Sequence, residues 1–263
     1  MTSGREKEKG KREKKAETAE DVAEAEQEKR QEHTPEAQDT AEARTREPWL
    51  AAGNPETKAA RLAVLAERAS LCVACDLART RTNVVFGEGN PEAPLVLIGE
   101  GPGQHEDATG RPFVGRSGML LDACLRENGM TRKHIYICNV VRCRACVLEA
   151  GRLKNRPPTP EEANACSTWL DQTIATIQPL VILCLGAPSA NTIIHKGFKI
   201  MSERGQWFES RYARYAMASL HPAYILRQQG EAYDAARRAL VADIAAARQK
   251  VIDAKREPKL TLF

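Results

Sequence analysis

Three short segments and a set of cysteines hold the side chains of this chain that are best suited to chemistry. Residues 99–115 read GEGPGQHEDATGRPFVG, a turn in which the main chain can come close to a ligand because glycine has no Cβ. Asn139 offers a carboxamide, which both accepts and donates hydrogen bonds in one plane. Residues 219–227 read SLHPAYILR and place His221 directly before Pro222. Each segment alone has a structural explanation. A glycine-rich turn can be only a tight connection, and a lone histidine before proline is more often structural than catalytic. Their joint occurrence, in this order, is what carries information. The chain has eight cysteines, two of them (Cys72 and Cys75) in a C-x2-C pair. With no apolar signal segment in the first residues, metal ligation or buried thiols are expected rather than a disulfide framework. Thiolates suit zinc or iron–sulfur chemistry, and spacing alone does not choose between them.

The elements that must position these groups are legible from periodicity. Apolar residues at helical spacing predict a short helix over 57–69, leading into Cys72. LVLIG at 95–99 is a buried strand that ends at the glycine-rich turn, and a helix follows over about 117–128. HIYICNVV at 134–141 is a second strand and puts Asn139 at its end. Thr159, Pro160 and Glu162 form an N-cap, N1 and N3 set, so a helix should run to about Ile177. PLVILCLG at 179–186 is a third buried strand, followed by a short helix over 188–195. Residues 206–219 contain two more strands and lead to His221; a final helix covers about 231–253. Strands alternating with helices imply an α/β protein whose mostly parallel sheet is covered on both faces. Ligands of such folds bind at the carboxyl ends of the strands, where the three segments stand.

Charge is distributed unevenly. Residues 1–46 hold 11 basic and 13 acidic residues with almost no large apolar side chains, which predicts a disordered tail. The remainder holds 28 basic and 22 acidic residues, a balance that favours DNA without establishing it. One domain over 47–255 and a flexible tail over 256–263 complete the expected organisation. No apolar run approaches the roughly 20 residues that span a bilayer, so a soluble, cytoplasmic monomer is expected.

The wording GEGPG, GRPFVG and HPAYILR resembles the family 4 uracil-DNA glycosylases, over about residues 71–227. The resemblance implies a three-layer α/β/α sandwich with a central four-stranded parallel sheet and excision of uracil from DNA. It implies that Phe113 stacks on uracil, that Asn139 reads its polar edge and that His221 donates to O2. Gly99 and Gly101 belong to the turn that lines the base, and Glu100 is the candidate for positioning groups near the sugar. Gly101 and Gly103 stand where better-known members of the superfamily carry an aspartate and a tyrosine; Glu106 is a candidate to fill the latter space. The solvated-loop alternative for Glu106 and Asp107 weighs about equally. Tyr224 to Arg227 would enter or flank the minor groove and fill the space left by the flipped base.

The same resemblance implies a [4Fe–4S] cluster on Cys72, Cys75, Cys143 and Cys166. The stretch between the last two is longer than the family pattern and brings in Cys146 as an alternative to Cys143. Cys143 is preferred because it directly follows the Asn139 strand. Cys124, Cys138 and Cys184 read as buried thiols. The rival function is a non-catalytic iron–sulfur module bound to nucleic acid in replication, against which Phe113, Asn139 and His221 speak together. Lys259, Leu260, Leu262 and Phe263 end the chain as KLTLF, which resembles the pentapeptide that docks on the bacterial sliding clamp.

Overall fold

A computed structural model describes residues 57–257. The charged stretch 1–46 and the KLTLF segment, both singled out above, lie outside them. In chain order the elements are α1 (Lys58–Ser70), a 3₁₀ turn (Asp76–Arg79), β1 (Glu88–Gly89), β2 (Leu95–Gly99), α2 (Gln104–Thr109) and α3 (Arg116–Glu127). A second 3₁₀ turn (Arg132–His134), β3 (Tyr136–Asn139), β4 (Cys146–Glu149), β5 (Arg152–Asn155) and α4 (Pro160–Ile177) follow. The last are β6 (Val181–Leu185), α5 (Ala187–Ile193), α6 (Ile200–Glu203), β7 (Phe208–Ser210), β8 (Ala213–Ser219), α7 (Pro222–Ile225) and α8 (Gly230–Arg256).

Side chains on a strand alternate between faces, and both faces of this sheet are apolar because both are covered. Val96, Ile98, Cys138, Ile182 and Cys184 pack towards α1, α4 and α5. Leu95, Leu97, Ile137, Leu183 and Met217 pack towards α3, α7 and α8. Cys124, Cys138 and Cys184 are fully buried, as expected. Each buried Leu or Ile contributes roughly 1.5–3 kcal/mol, so this two-sided core rather than the sheet edges holds the layers together.

The four expected parallel strands form the centre of the sheet, in the order β3-β2-β6-β8. Two short antiparallel strands, β1 beside β3 and β7 beside β8, extend it to six. The two strands expected within 206–219 are β7 and β8, whereas β1, two residues long, carries no apolar period that a sequence reading could register. The chain leaves β2 for β3 on one side and returns to β6 on the other. That reversal opens a crevice at the carboxyl ends of the strands.

Helix α4 begins as its sequence requires. The Thr159 hydroxyl accepts from the Glu162 N–H at 3.2 Å, and the Glu162 carboxylate accepts from the Thr159 N–H at 2.8 Å. The antiparallel hairpin β4–β5, built from the longer stretch before α4, has no counterpart among the predicted elements. Ala150 and Gly151 turn it at φ 47° and 74°. Among the described residues no helix is long and apolar enough to cross a membrane.

Candidate active site

Gly99 and Asn139 are direct partners in the register of β2 and β3, so the glycine-rich turn and the carboxamide start from the same level. A Cβ on Gly99 would stand 2.5 Å from Asn139 Oδ1 and 2.6 Å from Phe113 Cζ. Only glycine lets both groups close over the strand end. His221 follows β8, and its ring lies 5.8 Å from the Phe113 ring at 35°. Gly186, at φ 94°, leaves room for it; a Cβ there would come within 3.1 Å of His221 Cβ. A cavity of about 190 Å³ results, with Glu100, Gly101, Glu106, Phe113, Asn139 and His221 in its wall.

Two polar groups in this wall have defined roles. Asn139 is 2 % exposed, and its Oδ1 has no hydrogen-bond partner. A buried acceptor left unpaired costs about 1–3 kcal/mol, and a ligand that donates would recover that cost. His221 accepts from the Ala223 N–H at Nδ1, 3.0 Å away. Burial, with Arg227 nearby, pushes its pKa down to about 4. The ring is therefore neutral at pH 7, and its one proton sits on Nε2 as a donor. Glu100 also lines the cavity, and burial raises its carboxyl above the usual range.

The cysteines gather elsewhere, at the outer end of β3. Arg81 donates to Cys143 Sγ at 3.5 Å, and the Arg142 N–H donates to Cys166 Sγ at 3.3 Å. Burial pushes the Cys143 thiol up to about 11; Arg81 opposes this, while Cys166 and Cys75 add to it. Burial likewise raises Cys166, with further contributions from Cys75 and Cys72. Arg81 also donates to the Cys72 carbonyl at 2.6 Å, and Cys75 packs against the small buried cluster of Leu77, Cys143 and Ala145. Cys146 instead heads the hairpin and interacts with Arg156.

The Arg142 side chain is 1 % exposed, with Nη2 donating to Thr173 Oγ1 at 3.0 Å and to the Trp169 carbonyl at 3.3 Å. Its Nε and Nη1 have no partner, and among the described residues no carboxylate pairs with it. An uncompensated buried cation beside these thiols fits an anionic metal–thiolate group. Among the described residues no three His, Cys, Asp or Glu converge on a single ion position. A cluster takes one thiolate per iron, so its ligands need not converge on one point.

The sequence pattern of the Uracil DNA glycosylase superfamily matches residues 86–245. A type-4 uracil-DNA glycosylase of Thermotoga maritima is 45% identical over 167 residues, which span 63% of this chain and 83% of the relative. Another from Archaeoglobus fulgidus is 39% identical over 162 residues, 59% of this chain and 78% of the relative. A type-5 uracil-DNA glycosylase of Thermus thermophilus is 31% identical over 156 residues, 52% and 68% of the two chains. The chain belongs to the uracil-DNA glycosylase superfamily, on its type-4 branch.

Sequence reasoning left the roles of Glu106 and Asp107 open and missed Arg132, Asn155 and Arg156 around the glycosylase cavity. Glu106 is half-buried rather than solvated, and accepts from the N–H groups of Gly103, Val114 and Gly115 at 3.1, 2.9 and 2.8 Å. It thereby staples the glycine-rich turn to the loop that carries Phe113. Asp107, also buried, accepts from the Thr82 and Asn83 N–H groups at 2.9 and 3.4 Å. For both, the solvated-loop alternative fails. Phe113 itself sits at φ 52°, which costs about 1–2 kcal/mol. Arg132 holds it there, donating to the carbonyls of Phe113 and Pro112 while paired with Glu88 and Asp122. Nothing in the local spacing points to Arg132, because these contacts span long separations. Asn155 and Arg156 also reach the cavity from the hairpin.

Proposed function

We propose that this protein hydrolyses the N-glycosidic bond of uracil in DNA and leaves an abasic site. The observation that carries the reading is the unpaired Asn139 Oδ1 beside a neutral, Nε2-protonated His221 in one cavity. The target nucleotide has to leave the stack for its C1′–N1 bond to be reached. Phe113 then stacks on the ring. Asn139 accepts from uracil N3–H through Oδ1 and donates to O4 through its amide. Cytosine presents the opposite polarity at both positions and is rejected. As the bond breaks, negative charge grows on uracil O2, and His221 Nε2–H donates to it. A donor fixed before reaction is typically the largest electrostatic contribution to catalysis. Glu100 positions the groups around the sugar; water adds to C1′ as the C1′–N1 bond breaks, and the proton it loses ends on the released uracil.

The three motifs contain no lysine to form a Schiff base with the sugar. A uracil-containing oligonucleotide should therefore yield free uracil and an intact strand that breaks only with alkali or heat. Spontaneous scission, or a covalent adduct trapped by borohydride, would refute direct hydrolysis.

Cys72, Cys75, Cys143 and Cys166 are the proposed ligands of a [4Fe–4S] cluster, which when bound supplies cross-links between the 72–75 loop, the exit of β3 and α4. Burial raises the Cys143 and Cys166 thiols, and metal coordination would reverse that by stabilising the thiolates. Cys143→Ser should lose the brown colour and the iron, while Cys146→Ser keeps both. Bleaching by the Cys146 change alone would exchange the two assignments, and one zinc per chain without iron would remove the cluster.

Docking of KLTLF on the sliding clamp belongs to the same proposal. Its support is the apolar spacing of Leu260, Leu262 and Phe263 beyond Pro258. Deleting residues 260–263 should abolish micromolar binding to the purified clamp and leave excision from short oligonucleotides unchanged.

A further inference from the structure

The hairpin β4–β5 stands at the rim of the cavity. Its base is fixed to the wall: the Arg156 N–H donates to the Ala145 carbonyl at 3.0 Å, and both residues line the pocket with Asn155. Arg144, buried, donates from Nε to Asn155 Oδ1 at 2.7 Å and from Nη2 to the Leu153 carbonyl at 3.1 Å. Arg156 ties the exit of β5 to α4 through Glu162 at 2.6 Å. The hairpin is thus rigidly rooted next to the proposed base pocket.

Register decides what its two faces carry. Cys146 pairs with Asn155 and Leu148 with Leu153, so all four side chains share one face. That face begins at the pocket wall, with Cys146 buried and Asn155 against the cavity. It continues outward as Leu148 and Leu153, 68% and 44% exposed. The opposite face carries Val147, 41% exposed, beside Arg152 and Lys154, the latter paired to Glu149 at 2.6 Å. Between 144 and 156 there are four basic residues and one acidic. An exposed apolar pair continuous with a base-binding pocket and carried on a basic ribbon matches a nucleic-acid surface: apolar edges inside, phosphates outside.

We propose that this hairpin is a wedge for duplex DNA, with Leu148 and Leu153 pressing on the bases beside the extruded uracil while Arg152 and Lys154 reach the flanking phosphates. Apolar side chains inserted at a base step stabilise an unstacked duplex in this way. The inference rests on the uracil-excision reading, and the test separates the two. Release of free uracil from a short single-stranded oligonucleotide tests the reading alone, because no duplex is there to be wedged. The hairpin is tested by affinity for a duplex carrying an uncleavable abasic analogue. The double variant Leu148→Ser/Leu153→Ser should bind that duplex about tenfold or more weakly than wild type, since two buried leucines are lost from the interface. Its single-strand activity should remain unchanged. Leu148→Trp should retain the affinity, and its new indole fluorescence should be quenched on binding by stacking against a base. Unchanged affinity of the double serine variant, or no quenching of Leu148→Trp, overturns the wedge. Loss of single-strand activity overturns it too, since the hairpin would then act through the pocket wall. A wild-type dimer at micromolar concentration that dissociates on the double serine change would place a second copy on this face and equally overturn the proposal.

Discussion

Asn139→Asp is expected to lower uracil excision by about 10⁴-fold, because a site built to pair a polar edge discriminates by that order when the partners are left unmatched. The argument is geometric. Asn139 Oδ1 is buried without a partner, at the same level of the sheet as Gly99 and beside the Phe113 ring. A carboxylate keeps the acceptor for N3–H but sets a second acceptor against O4, and the change adds a buried charge. When the carboxyl is protonated the pattern suits cytosine, so slow cytosine release at low pH is the accompanying expectation. Single-turnover rates on uracil- and cytosine-containing oligonucleotides measure both. Uracil rates within a few-fold of wild type would remove Asn139 from base reading and leave its orphaned oxygen without explanation.

Arg142→Met is expected to have opposite effects on the protein with and without its metal group. The guanidinium is fully buried over the Phe86 ring, 5.2 Å from its centroid, with two nitrogens unpaired. Replacing a buried, uncompensated charge by an apolar side chain of similar volume stabilises by about 1–4 kcal/mol. The metal-free protein should therefore melt higher by roughly 2–4 °C per kcal/mol. A cluster with four thiolates would be anionic and within electrostatic reach of the Arg142 guanidinium, so the loaded variant should lose that attraction while the Arg142 N–H to Cys166 remains. It should release iron to a chelator faster than wild type. Thermal melts of both forms, with the rate of bleaching, read the two effects separately. A metal-free variant that melts lower, together with unchanged iron release, would mean that Arg142 only fills space.

The two changes probe different levels of the architecture. Asn139 acts at the carboxyl end of β3; Arg142 lies three residues beyond it, on the way to Cys143. One short segment thus links the cavity wall at Asn139 to Cys143.

The sequence by itself determined the central layers and the end of the sheet that holds the site. LVLIG and VILCL are continuous apolar runs because both of their faces are covered, and such runs read directly as inner parallel strands. The start of α4 was equally legible, since Thr159, Pro160 and Glu162 satisfy the first free N–H groups within one turn. The turn glycines, Asn139 and His221 were legible as types and as an order, whereas Phe113 and the set of four cysteines entered through the family resemblance. The tertiary structure decided what those residues touch. Arg132 reaches Phe113 across 19 residues, and Glu106 reaches Val114 and Gly115 across 8 and 9. Such contacts leave no period in the chain, because side chains from separate loops meet only once the sheet has fixed their ends. The neutral tautomer of His221 depends on a backbone N–H two residues on and on burial, which no spacing encodes. The hairpin escaped for a related reason: its short strands mix exposed apolar and charged residues around Ala150-Gly151 without a strict alternation, and only pairing in three dimensions shows that Leu148 and Leu153 share the face of the pocket wall.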